Sequence, residues 1–250
     1  INTFHEAVRL SKEVQNDNNL AYCYQRIGNL YKENGNNELS KKYIDSSYVI
    51  YKNLGDLSKI SSTLVDIGYY HMSRGEFQKA DSIFRESLEM ANKASNNIQI
   101  AIANQSLADM ALYLGEFKKS LSILEETRAI YAKIDNFWGL ASVNLGLGNV
   151  YNHMGEFKNA IQHYTIADSL YNSIDDEYSR ATPINNIGTI YYWQGDNEAA
   201  MKQFEQVKQI LDNFKVKNDF YAIVEANIGE VFLELNKYDD AKKYLDSANM

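Results

Sequence analysis

At 250 residues, with 45% hydrophobic and 23% charged residues, the chain has the composition of a globular protein able to bury a core. Its net charge of −8 argues against a nucleic-acid-binding surface, which needs clustered Lys and Arg to neutralise phosphates. The single cysteine, Cys23, excludes an internal disulfide and a multi-cysteine metal site, and no apolar stretch approaches the roughly 18 residues of a membrane-spanning helix.

From the N-terminus the chain reads as a series of amphipathic helices. Apolar residues recur at helical spacing, and Pro183 is the only proline. That predicts an all-α protein. Residues 1–16 read as the second helix of a hairpin whose first helix is missing, because Phe4 and Ala7 fall one period before Ile44 and Ser47. Six blocks follow, at about 17–56, 57–96, 97–136, 137–176, 177–216 and 217–250. Each contains a small residue, and Gly28, Gly68, Ala108, Gly148, Gly188 and Gly229 follow one another at steps of 40, 40, 40, 40 and 41. Seven residues after each stands Gly35, Gly75, Gly115, Gly155, Gly195 or Asn236. The chain starts at Ile1 and stops at Met250 without a clear polar cap, so it reads as a piece of a longer parent.

The physics of the pattern is direct. The first small residue lies where two helices cross, and a larger side chain there would push the backbones apart. The second ends a helix in the left-handed region, where glycine is unstrained and Asn is the next best choice. A later motif places a bulky residue four positions after a small one: Ala80 and Phe84, Ala160 and Tyr164, Ala200 and Phe204, Ala241 and Leu245. One thin hairpin cannot bury its own apolar face, so neighbours must stack.

These residues, with the aromatics Tyr31, Tyr151, Tyr191 and Phe232, resemble the tetratricopeptide repeat along nearly the whole chain. The family's usual proline at the end of the second helix is absent, and the period of 40 exceeds the common value of about 34. The resemblance implies a right-handed α–α superhelix of antiparallel hairpins, a single solenoid over residues 1–250. The long period is similar to that in kinesin light chains, spindle-orientation adaptors and bacterial peptide-sensing regulators. The Asn-, Lys- and Tyr-rich segments resemble repeat regions of Bacteroidetes two-component and DNA-binding regulators. That likeness favours the periplasm, with a membrane-anchored parent, over the cytoplasm.

No catalytic or metal-ligating constellation stands out, so neither enzymatic activity nor a cofactor is expected. The histidines, His5, His71, His153 and His163, form no ligand pair at helical spacing. His71 occupies a core aromatic position and reads as a buried histidine. Gly146-Leu147-Gly148 lies mid-helix with no strand before it, against a nucleotide loop. Asp175, Asp176 and Glu177 read as a helix cap and first-turn charges.

The resemblance places the first helix of each pair on the concave face. Counting from the small residue, it implies a peptide-binding row of Gln25, Asn29, Tyr69, Met72, Gln105, Asp109, Tyr113, Asn149, Asn152, Asn185, Thr189, Tyr192 and Trp193. Tyr22, Lys32, Val65, Ile102, Ser142, Leu145 and His153 fall beside them. The row reads as neutral, rich in amides and aromatics. Asn and Gln can pair with an extended peptide's N–H and C=O, and aromatics add rigid contact area. Tolerated polar residues on a solvated face are the alternative. Family members that hold a partner's terminal carboxylate use Lys, Asn and Arg at set positions. Here Asn29 matches, but Gln25, Tyr69, Ile102 and Ser106 do not, which speaks against that ligand. The favoured reading is a protein- or peptide-binding scaffold, the sensory or interaction region of a larger signalling or transcription regulator. The rival is an assembly module with an unused groove. Homo-oligomerisation is left open, and neither nucleic-acid contact nor membrane insertion is expected.

Overall fold

The computed structural model describes residues 2–248; Ile1, Asn249 and Met250 lie outside the described residues. The chain forms two compact units, Ile1–Ile134 and Asp135–Met250. All regular structure in the described residues is helical.

Unit 1 begins with α1 (Asn2–Glu13). Three pairs follow: α2 (Asp17–Glu33) with α3 (Asn37–Leu54), α4 (Leu57–Ser73) with α5 (Phe77–Lys93), and α6 (Asn97–Tyr113) with α7 (Phe117–Lys133). Unit 2 contains α8 (Phe137–His153) with α9 (Phe157–Ser173), α10 (Glu177–Trp193) with α11 (Asn197–Asn213), and α12 (Asp219–Glu234) with α13 (Tyr238–Ala248). Most helices have 17 residues, a length of about 25 Å. Within each unit, consecutive helices pack on one another.

Helix boundaries follow from residue chemistry. Asn16, Asn36, Asp56, Asn96, Asn136, Asp176, Asp196 and Asn218 each accept a backbone N–H of the helix they precede. Such a cap contributes about 1 kcal/mol. Asp176 therefore caps α10, with Glu177 in its first turn, as its sequence context implied. Turns inside a pair pass through a left-handed residue: Gly35, Gly75, Gly115, Gly155, Gly195, and Asn236 with φ +58°. The turns between pairs do the same, using Gln15, Gly55, Ser95, Asp135, Asp175 and Lys215. This second set of turns carries no mark in the sequence, because five of the six residues are not glycine.

Inside a pair the small residue makes room for one bulky side chain. A Cβ on Gly68 would stand 2.3 Å from Phe84, one on Gly148 2.5 Å from Tyr164, and one on Gly188 2.8 Å from Phe204. Those three aromatics are essentially fully buried. In the third pair the small residue is Ala108, and the equivalent bulky residue is the smaller Leu124. Gly148→Ala is accordingly expected to destabilise unit 2 by about 1–2 kcal/mol: overpacking costs about 1–3 and improved helix propensity offsets up to about 1. A double-mutant cycle with Tyr164→Leu, read by urea denaturation, checks this. Additive effects of the two substitutions would exclude a clash between them.

His71 is buried, and its Nδ1 lies 2.7 Å from Glu76 Oε2. It is a core histidine, with Glu76 held below the usual carboxylate range chiefly by that hydrogen bond. Pro183 sits inside α10 and is buried there.

Candidate functional site

The row of residues expected to line a groove lies on the first helix of each pair, and within each unit neighbouring helices hold several of its polar side chains. In unit 1, Gln25 on α2 is buried. Its Nε2 donates to Asp66 Oδ2 at 2.8 Å and to Ser62 Oγ at 3.0 Å, both on α4. One turn further along α4, the Tyr69 hydroxyl donates to Asp109 Oδ2 on α6 at 2.6 Å. The Tyr69 ring meets Phe84 edge-on, with centroids 5.2 Å apart, and Lys32 Nζ lies 5.0 Å from the Tyr69 ring centre. Thus α2, α4 and α6 join in one network around two carboxylates.

The charges in this network are poorly compensated. Burial pushes Asp66 above its ordinary range, against the Gln25 hydrogen bond and the charges of Lys32 and Arg26. Burial also lifts Asp109 from 3.8 to about 6, and the Tyr69 hydrogen bond opposes that rise. The Tyr69 phenol is pushed far up by burial and by the Asp109 charge. Among the described residues no ion pair joins either carboxylate.

The remaining residues of the row in unit 1 divide by role. Met72 packs beside Phe84 and Met110. Gln105 accepts from the Tyr131 hydroxyl at 2.8 Å. Tyr113 is 61% exposed and rests on Phe77, with ring centroids 4.7 Å apart. The Asn29 amide oxygen is buried with no donor.

Unit 2 has an amide network in place of carboxylates. Asn149 Oδ1 on α8 accepts from the Tyr164 hydroxyl at 2.8 Å and from Asn186 Nδ2 on α10 at 3.3 Å. Asn185, itself buried, accepts from Asn227 Nδ2 on α12 at 3.2 Å. The Thr189 hydroxyl donates to the Asn185 backbone carbonyl. The Asn152 amide oxygen is buried and has no donor. Tyr192 packs on the apolar core of the unit. Trp193 is 59% exposed and lies over Phe157, with centroids 6.4 Å apart.

Two features escaped the sequence. The position two residues before the small residue carries Asp66, Asn186 and Asn227, which bind across to a neighbouring pair; the inner row as counted left that position out. Comparing that one position across the six blocks would have found it, since it is polar in all but the fourth, where Gly146 stands. Asp66 is also a second carboxylate beside the Tyr69–Asp109 pair of unit 1, which the counted row did not include.

The tetratricopeptide-repeat profile matches residues 59–133, 139–213 and 179–248, and a second profile of that repeat matches 21–47. The chain belongs to the tetratricopeptide-repeat family. No curated protein sequence matches it. Solved structures similar to it include BtubC (BKLC) from P. vanneervenii, 19% identical, with a TM-score of 0.68 over 88% of this chain and 89% of that one. Aspartyl phosphate phosphatase F from Bacillus subtilis is 13% identical, with a TM-score of 0.70 over 98% of this chain and 63% of that one. A signal-transduction ATPase with numerous domains and a tetratricopeptide-repeat sensor, from Pyrococcus horikoshii, is 15% identical, with a TM-score of 0.67 over 96% of this chain. This chain spans only 38% of that protein. At these identities the likeness is one of fold. Among the described residues no helix is long and apolar enough to cross a membrane.

Proposed function

We propose that the chain is a non-catalytic binding module for an extended peptide or protein segment, and the sensory or interaction region of a larger signalling or transcription regulator. One observation carries the reading. In each unit the first helices carry polar side chains held in place by the neighbouring pair, and one of those helices also carries an aromatic that is more than half exposed, Tyr113 or Trp193. Groups fixed beforehand lose little entropy when a ligand arrives, and exposed aromatics are preferred anchors. The tetratricopeptide repeats of the Pyrococcus protein are described as a sensor, which agrees with a sensory role.

A second reading, assembly without groove binding, is favoured by the occupied oxygens of Asn149 and Asn185, which serve helix stacking. The discriminating experiment selects short random peptides against the purified chain and measures the affinity of those recovered. Tyr113→Ser and Trp193→Ser change exposed side chains, so circular dichroism should remain native. At least one of them is expected to weaken binding about tenfold, near 1.4 kcal/mol. Unchanged affinity in both variants, or no peptide recovered from the selection, would remove the groove reading in favour of assembly.

A further inference from the structure

We propose that Asp66 and Asp109 on unit 1 form a cation anchor that takes the ammonium or guanidinium group of a basic peptide residue. The inference rests on the peptide-binding reading and adds the charge class of the ligand.

Geometry carries it. Both carboxylates belong to the inner network of α2, α4 and α6, and both keep part of their surface accessible. Each has one oxygen engaged, Asp66 Oδ2 by Gln25 and Asp109 Oδ2 by Tyr69. The hydrogen-bond donors are neutral, so they do not cancel the charge of either carboxylate when it is ionised, in a region that screens charge poorly. The Tyr69 ring separates and orders the pair: it lies one turn from Asp66 on α4, and its hydroxyl reaches Asp109 on α6. A tyrosine face is itself attractive to cations, and the chain's own Lys32 ammonium already lies over it.

Asn29 is the independent observation. Its amide oxygen is buried and lacks a donor. On α2 it lies one turn after Gln25, which reaches Asp66, and one turn before Lys32, which reaches Tyr69. That spacing puts it on the same face of α2 as Gln25 and Lys32, a third acceptor in need of an N–H. The Gln25 and Tyr69 donors are already used, while each carboxylate has only one oxygen engaged and the Asn29 oxygen has no donor. Such a site suits a donor-only cation, since Lys and Arg carry several N–H groups and no acceptor. A metal ion fits less well. It needs several oxygen ligands converging on one point, and among the described residues no three acidic, His or Cys side chains do so. The polarity is opposite to that of a carboxylate-holding groove.

The test uses the same random peptide selection. Recovered peptides are expected to be enriched in Lys or Arg. Asp66→Asn and Asp109→Asn should each weaken their binding about tenfold or more, and Glu76→Gln should not. Acetylating the peptide's lysine, which removes its charge and leaves the protein untouched, should reproduce the loss. Thermal unfolding checks that both Asn variants are folded. Peptides without basic enrichment, or affinities unchanged by the Asn substitutions and by acetylation, would overturn the cation anchor. If those same peptides are still lost in Tyr113→Ser or Trp193→Ser, groove binding survives that outcome. A selection that recovers nothing overturns both.

Discussion

Phe84→Ala is expected to cost unit 1 about 3–5 kcal/mol, the range for removing a buried aromatic. Phe84 is fully buried. Its ring fills the space left by Gly68, where even a methyl group would collide with it. It also packs with Ala80 and Met110 and is flanked by Met72 and Leu107. Removing the ring opens a cavity that stacked helices on both sides cannot easily close. The loss is a large part of a typical stability of about 5–15 kcal/mol. It reaches the candidate site as well, because Tyr69 rests edge-on against Phe84. Phe84→Leu is the informative comparison. Leu124 fills the equivalent position in the third pair, opposite Ala108, so the leucine substitution should lose markedly less. Urea denaturation of the three proteins gives the order. A cost below about 1 kcal/mol for the Ala variant would show that the ring is not what joins α4 to α5.

The features read most easily from sequence were those in which residue type alone meets a geometric need. Gly68 and Gly148 lie where a Cβ has no room. Asn236 turns with positive φ as the glycines before it do. Asp176 caps a helix. The inner row was less legible, for a physical reason. Helical spacing tells which face a residue is on, and it does not tell which residue of the next pair will meet it. Gln25 was singled out by its spacing, yet its partner Asp66 lies at a position the counted row left out. Asn149 and Asn185 look like free amides in sequence, but their oxygens are occupied by Tyr164, Asn186 and Asn227. Ser95 and Lys215 adopt positive φ with no hint in their chemistry, because the turn is imposed by the helices on either side.

Asp109→Asn is expected to make unit 1 more stable at neutral pH, by about 1–3 kcal/mol. The folded chain raises this carboxyl from 3.8 to about 6, chiefly through burial. Over that window the folded state holds a proton that the unfolded state has released. The contribution of this group to stability is therefore greatest below about pH 4, falls as pH rises to about 6, and stays lowered above it. At about 1.4 kcal/mol per pKa unit, about 3 kcal/mol is the upper limit. The groups facing Asp109 set the rest of the dependence. Tyr69 donates to it, Lys32 lies over Tyr69, and Asp66 adds a second raised carboxyl whose effect has the same sign. An Asn side chain keeps an acceptor for the Tyr69 hydroxyl and carries no charge to bury, so the gain should appear at pH 7.5 and largely vanish at pH 4. Some pH dependence from Asp66 should remain. Urea denaturation at the two pH values decides the matter, and equal stability of the parent chain and the Asp109→Asn variant at pH 7.5 would contradict it. Stability and binding should then move in opposite directions. A residue that only packs the core weakens both when it is replaced. The Asp109→Asn substitution is expected to strengthen the fold while loosening a basic peptide, because the charge that is costly to bury is the one the ligand's cation would neutralise.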